Sequence, residues 1–266
     1  MTRDAPPEEF PATEQPVIVE AGDGIGWVRL NRPAQRNAMN SALKQALAAS
    51  LAGLDADSAV RVIVITGNGP GFCAGNDLRE GSAGLDSHAL TARRERITTA
   101  LDRATKPVIA AVNGAAYAGG FELALACDLR IASTVASFCL PEARIGSMPG
   151  GGGTQRLVRT VPAAFAAKMI LTGQPVDAAE AYRAGLVSDL VDPRELIAKT
   201  AEIAGQIAAN APLSVIASKR ALRAGLENPE GLALERTLWE MVAMSDDYRE
   251  ARTAFREKRP PKFTGR

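Results

Sequence analysis

The stretch from Lys106 to Glu122, KPVIAAVNGAAYAGGFE, constrains the fold of this chain more than any other. Val108 to Val112 is apolar at every position, as expected of a short strand with no solvated face. Asn113 and Gly114 then turn the chain, and after Gly119 and Gly120 an apolar helix runs through Phe121, Leu123, Ala124, Leu125 and Ala126. A glycine pair before a helix leaves backbone N–H groups bare at the positive end of the helix dipole, where an oxygen that gains negative charge is held. Glu122 stands in the first turn of that helix, so a carboxylate sits beside an oxyanion-binding helix start. That pairing points to proton transfer next to a polarised carbonyl. The plainer alternative is a capping acid beside glycines that allow close packing.

The same plan of β-branched strand, glycine turn and helix recurs three times, at Val28 to Leu54, Val60 to Ala104, and Val108 to Cys127. Val60 to Thr66 is near-continuously β-branched, again a strand buried on both faces. Before it, Val17 to Glu20 and Ile25 to Asn31 predict a hairpin through Gly22-Asp23-Gly24, and Ser41 is placed to cap a helix with Leu43, Leu47, Leu51 and Leu54 on its apolar face. Leu85 to Ala104 reads as a polar helix, and Leu129 to Ala132 and Ser137 to Leu140 as short strands. A glycine run at Gly150 to Gly153 leads into a helix from about Thr154, and from Pro162 onward helices dominate, with one strand at Val187 to Val191. The expected fold is α/β: a spiral of strand–strand–helix units over residues 16–195, preceded by a disordered arm over 1–15 and followed by a helical region over 196–266.

Composition bears on compartment and chemistry. A net charge of +1 over 266 residues gives no whole-molecule case for binding nucleic acid or an anionic membrane. The N-terminus lacks the apolar segment of a signal peptide. Cys73, Cys127 and Cys139 cannot all pair and lack metal-site spacing, so a reducing cytoplasm is expected. His88 is the sole histidine, which argues against an imidazole metal site and leaves no motif for a Ser–His–Asp triad.

Three further motifs carry candidate chemistry. Phe72-Cys73-Ala74-Gly75-Asn76-Asp77-Leu78 is a glycine loop leaving a buried strand, able either to present amides to a ligand or simply to turn. Glu122 and Glu142 are separated by two strands that can return the chain to one pocket, where two glutamates in differing environments form an acid–base pair. The glycine run before Thr154-Gln155-Arg156-Leu157 serves either close approach of a ligand or a tight loop.

Together these stretches resemble the crotonase family, the enoyl-CoA hydratase/isomerase superfamily. The resemblance runs from about Val17 to the end and includes Asn31-Arg32-Pro33 with Asn37-Ala38, Ala118-Gly119-Gly120-Phe121-Glu122-Leu123-Ala124, Pro141-Glu142, Gly152-Gly153-Thr154-Gln155-Arg156-Leu157, Leu171-Thr172-Gly173, and Glu257-Lys258-Arg259. It implies the Clp/crotonase spiral with a C-terminal all-helical trimerisation region. It also implies an enzyme of acyl-CoA and fatty-acid metabolism that adds water to a trans-2-enoyl-CoA. By resemblance, the backbone N–H groups of Asn76 and Gly119 form the oxyanion hole, Glu122 and Glu142 are catalytic, and coenzyme A lies along Arg36, Ala38, Ala74, Asn76, Asp77, Leu78 and Gly119. The basic cluster Arg256, Lys258 and Arg259 near the end either reaches a CoA phosphate, in this or a neighbouring subunit, or is a solvated tail. Glu142 is expected as the base toward water and Glu122 as the proton donor at C2. No cofactor or metal is implied, and the expected assembly is a homotrimer or a dimer of trimers. Alternatives within the family are an enoyl-CoA isomerase and a carnitinyl-CoA-type dehydratase; outside it stand a Clp-type serine protease and a non-catalytic RNA-binding relative. Asn76 and Ala118 depart from the family pattern, which often has a small residue at the first and glycine at the second.

Overall fold

The computed structural model describes residues 15–77, 79, 97–145, 147–224, 237 and 240–266. His88, Leu78, residues 1–14 of the expected arm and the greater part of the expected 85–104 helix lie outside the described residues. Gln15 is anchored, its carbonyl accepting a hydrogen bond from Asn31 Nδ2 at 3.0 Å.

Strands β1 (Val17–Gly22) and β2 (Ile25–Leu30) pair antiparallel. Asp23 and Gly24 join them at φ values of 53° and 78°, the pair of left-handed residues that a two-residue hairpin of matching twist requires. Helix α1 (Ser41–Ala56) buries Leu43, Leu47, Leu51 and Leu54, as their spacing predicts. Its cap is Asn40 rather than Ser41: Asn40 holds an extended backbone and its side-chain oxygen accepts the Leu43 N–H at 2.9 Å, while Ser41 is already helical.

From β3 (Val62–Gly67) the chain spirals. Each turn gives one longer strand to a large sheet and one short strand to a small one. β3 is followed by β4 (Gly71–Cys73) and, further on, α2 (Ile97–Arg103). β5 (Val108–Val112) is followed by β6 (Ala115–Tyr117) and α3 (Gly119–Ala126). β7 (Leu129–Ser133) is followed by β8 (Ser137–Cys139) and a 3-10 turn at Glu142–Ile145. Helices α4 (Gly153–Thr160) and α5 (Ala163–Thr172), β9 (Val176–Asp177), α6 (Ala178–Arg183) and β10 (Asp189–Val191) complete the layer. The large sheet runs β1-β2-β3-β5-β7-β10, parallel apart from the β1–β2 hairpin; the small one runs β4-β6-β8-β9, with β9 antiparallel.

Val62 to Ile65 and Val108 to Val112 are apolar throughout because both faces of the large sheet are covered. Ile63, Ile65, Val108, Ala110 and Val112 face the cluster that holds α1 and α3. Their alternates Val62, Val64, Ile109 and Ala111 face a second cluster with Leu196 and Ala204 of α7 (Leu196–Ala208). Each valine, isoleucine or leucine among them contributes about 1.5–3 kcal/mol by leaving water. The expected boundary at residue 195 therefore falls just before the helix that closes the second face. Beyond it lie α8 (Pro212–Ala224) and α9 (Asp246–Glu257).

One polar residue ties the hairpin to the spiral. Asn37 is fully buried; its Nδ2 donates to the carbonyls of Asn68 at 3.0 Å and Gly71 at 2.8 Å, and its Oδ1 accepts the Arg32 N–H at 2.9 Å. Asn37→Ala strands all three backbone groups and puts alanine at a φ of 55°. We expect it to cost about 3 kcal/mol, within the range set by unsatisfied buried groups. Urea unfolding checks this as a lower midpoint at unchanged slope; a midpoint equal to the wild type's would show that the clamp is dispensable.

Candidate active site

Two backbone amides converge where the small sheet ends. β4 and β6 run parallel, so the loop after Cys73 and the start of α3 lie side by side. They approach so closely that a Cβ on Gly120 would fall 2.1 Å from the Cys73 carbonyl oxygen; only glycine fits there. Beside it, a Cβ on Gly119 would lie 3.8 Å from the Asn76 nitrogen and 3.0 Å from Met39 Cε. Gly119 and Gly120 are the first two residues of α3, not residues that precede it. The N–H groups of Asn76 and Gly119 have no acceptor among the described residues. That is the geometry of an anion-binding helix start.

The Asn76 loop is held from the other side by residues 36–39. Ala74 N–H donates to the Arg36 carbonyl at 3.0 Å, Met39 N–H to Gly75 at 2.7 Å, and Asp77 N–H to Met39 at 3.1 Å. Arg32 adds an ion pair to Asp77 at 3.0 Å, and Cys73 Sγ donates to the Asn37 carbonyl. The Asn31-Arg32-Pro33 motif thus serves as the splint of the amide loop. Asp77 is held well below the usual carboxylate range by hydrogen bonds from Arg79 first and Arg32 after it. Arg36, Ala38, Ala74, Asn76 and Asp77 consequently share one rim, with Arg36 and the Asn76 side chain exposed.

Both glutamates are brought to this region and both are buried, Glu122 at 5% and Glu142 at 9% exposure. Their surroundings differ. Glu122 Oε1 accepts two backbone N–H groups, from Gly151 at 2.6 Å and Gly153 at 2.9 Å. Glu142 stands after β8 at the head of the 3-10 turn, and its Oε2 is buried with no hydrogen-bond partner among the described residues. Burial raises the Glu142 carboxyl above its ordinary range, and the nearby charge of Glu122 raises it further. One carboxyl thus has an oxygen satisfied as an acceptor and the other a buried oxygen without a partner among the described residues, two differing settings of the kind that acid–base pairs use.

The glycine run before α4 was readable as a ligand approach or a tight loop. Its amides instead cradle Glu122. Ala118, which links β6 to α3, sits at φ 49° and ψ −128°, a conformation suited to glycine.

Other expected residues are placed differently. Lys258 lies past α9 and makes no ion pair with any described residue, while Arg259 is engaged by Glu250 at 2.6 Å and Glu257 at 2.7 Å. Arg259 holds the Glu250 carboxyl down to about 2. A cavity of about 930 Å³ lies between the end of α3, α4 and α8, lined by Leu125, Arg159, Val215 and Leu222 among others, and by neither glutamate nor either amide residue. The Cys73 and Cys127 thiols are pushed up to about 12 by burial, which removes both as thiolate nucleophiles near neutral pH.

Compared with known families, residues 20–266 match enoyl-CoA hydratase/isomerase. The chain belongs to that family, the crotonase superfamily, and is an enzyme of the hydratase type. It is 43% identical over 253 residues to a 2,3-dehydroadipyl-CoA hydratase of Escherichia coli, covering 94% of this chain and 99% of that one. It is 41% identical over 254 residues to an (E)-benzylidenesuccinyl-CoA hydratase of Thauera aromatica, covering 94% and 99%. Among solved structures, an enoyl-CoA hydratase from Bacillus anthracis superposes with a TM-score of 0.89 at 37% identity, covering 95% of this chain and 100% of that one.

The strained and unpartnered groups set two expectations for stability. Ala118→Gly relieves an unfavourable φ/ψ pair and should stabilise the fold by about 1 kcal/mol, or about 2–4 °C in Tm. A lower melting temperature would show that the Ala118 methyl contributes more than the strain costs. For Glu142, the folded state holds its proton more tightly than the unfolded state, because the carboxyl is raised in the fold. Its contribution is therefore lost as pH rises from the ordinary glutamate range through the raised value. Glu142→Gln should melt higher than wild type at pH 8, with the gap closing toward pH 4; differential scanning calorimetry at both values tests the sign.

Proposed function

We propose that this chain catalyses reversible addition of water across the double bond of a trans-2-enoyl-CoA, giving a 3-hydroxyacyl-CoA. The observation that carries the reading is the pair of buried carboxyls in unequal settings: Glu122 satisfied as an acceptor by two amides, and Glu142 raised and unpartnered. Two carboxyls in one site favour water addition over isomerisation of a double bond, which needs a single group to move a proton.

In this reading the N–H groups of Asn76 and Gly119 hold the thioester oxygen. The Glu122 carboxylate takes a proton from water as the water oxygen bonds to C3, and the double-bond electrons move onto the thioester oxygen as an enolate. Glu142, as the acid, delivers its proton to C2 and the carbonyl re-forms. Proton exchange through the bound water then returns both carboxyls to their starting states. This division reverses the one expected from the resemblance. Its support is geometric: Glu122 has an oxygen held between two N–H donors, while Glu142 is desolvated, raised, and has an oxygen without a partner among the described residues. The steps need only carbonyl polarisation and proton transfer, so no metal or redox group is assigned.

Coenzyme A is placed along Arg36, Ala38, Ala74 and Asp77, with Leu78 and, from a neighbouring copy, Lys258 as further contacts. A homotrimer or dimer of trimers built through the C-terminal helices would bring such a Lys258 to the rim. The three cysteines are free and buried, consistent with a cytoplasmic enzyme; among the described residues no helix is long and apolar enough to cross a membrane.

The test is loss of the conjugated thioester absorbance on a panel of crotonyl-CoA, longer enoyl-CoAs and 2,3-dehydroadipyl-CoA. No turnover on any member would sink the reading. Glu122→Gln and Glu142→Gln should each lower kcat on the best substrate by about 10² to 10⁴, and wild-type turnover in either would remove that residue from the mechanism. Gly119→Pro deletes one oxyanion donor at a first-turn position that tolerates proline. A fall in kcat of about 10² or more is expected with the far-UV dichroism spectrum retained.

A further inference from the structure

The amides that cradle Glu122 belong to a run of four glycines, Gly150 to Gly153. Such a run has little rigidity of its own, so something must hold its peptide planes. The contacts that do so come from outside the loop. Arg156 Nη1 donates to the Gly151 carbonyl at 2.7 Å, and Thr98 Oγ1 on α2 donates to the same oxygen at 3.0 Å. The other guanidinium nitrogen, Nη2, is held by both carboxylate oxygens of Asp102, also on α2, at 2.7 and 2.9 Å. The guanidinium fills the space beside Gly152, where a Cβ would meet Nη1 at 2.0 Å. Gly151 is therefore gripped on both sides: its carbonyl by Arg156 and Thr98, and its N–H by Glu122.

We propose that Arg156, braced by Asp102, is a positioning residue for the reaction: it fixes the Gly151 and Gly153 amides and through them the Glu122 carboxylate. The proposal rests on the assignment of Glu122 as the base toward water. Arg156 lies on the far side of Gly151 from Glu122 and touches neither the oxyanion amides nor the CoA rim. Its loss should therefore appear in turnover and not in binding. Among the described residues, contacts place Glu142 of the 3-10 turn, Asp102 of α2 and Arg156 of α4 beside the cradle, and Arg223 of α8 donates to the Leu101 and Asp102 carbonyls. Asp102 neutralises Arg156, which leaves geometry as the main thing Arg156 supplies.

The experiment compares wild type, Arg156→Met, Arg156→Lys, Asp102→Asn, Glu122→Gln and the Arg156→Met/Glu122→Gln double variant. Arg156→Met should lower kcat about 10- to 100-fold with KM within about threefold, the scale of a misplaced catalytic group. Arg156→Lys, which keeps one donor but not the fork, should fall between. In the Glu122→Gln background the same Arg156→Met change should alter the residual rate by no more than about twofold, because its effect runs through Glu122. Amide hydrogen exchange at Gly151 and Gly153, measured by NMR without substrate, should quicken in Arg156→Met. An equal loss of rate in both backgrounds, unchanged kcat, or unchanged exchange at these two amides would overturn the proposal. If Arg156→Met fails to fold, Asp102→Asn carries the same readings with α4 intact. An inactive wild type would instead overturn the hydratase reading, while the exchange measurement would still decide what Arg156 holds.

Discussion

The site depends on one close approach, that of the first turn of α3 to the carbonyl end of β4 at Gly120 and Cys73. Parallel pairing of two short strands aligns the end of one turn of the spiral with the end of the next, and a missing side chain lets the helix start against the loop. The Asn76 and Gly119 amides become neighbours only because of that contact. The Asn37 clamp and the 36–39 segment then hold the loop that carries Asn76. Little of this needs particular side-chain chemistry beside the two amides; it needs backbone held still.

The carboxyls obey a complementary logic. Each stands where the chain leaves a strand of the small sheet: Glu122 one turn into the helix after β6, Glu142 at the turn after β8. Their separate settings come from their surroundings. Glycine amides from the head of α4 satisfy Glu122, and nothing among the described residues satisfies Glu142 Oε2. Leaving a buried carboxyl oxygen unpartnered costs stability, and functional sites are where such costs persist.

Much of the architecture was legible from periodicity. Val108 to Val112 and Val62 to Ile65 have no polar position because α1 and α3 cover one face and α7 the other, and the four leucines of α1 sit inside as spaced. The strands β4, β6 and β9 were not legible; at two or three residues they are too short to show an alternation, and tertiary pairing alone defines them. The cap at Asn40 was missed by one residue because two capping types stand side by side. In the site, both glutamates and the glycine pair stood out by residue type and local position. The use of Gly151 and Gly153 did not, since their partner Glu122 lies 29 and 31 residues away in the chain. Arg156 was visible only as part of a motif, because its brace, Asp102, is 54 residues distant.

The Asn76 and Gly119 donors are main-chain groups, so ordinary substitution cannot delete them, and in the proposed reaction polarisation of the thioester carbonyl would be written into the path of the chain. In the same proposal proton transfer would rest on two side chains, each on its own turn of the spiral. A scaffold arranged in this way separates what is inherited from what is adjustable. On the proposed mechanism, the amides that would stabilise an enolate are indifferent to the side chains around them, while the fate of that enolate would depend on the residues at positions 122 and 142.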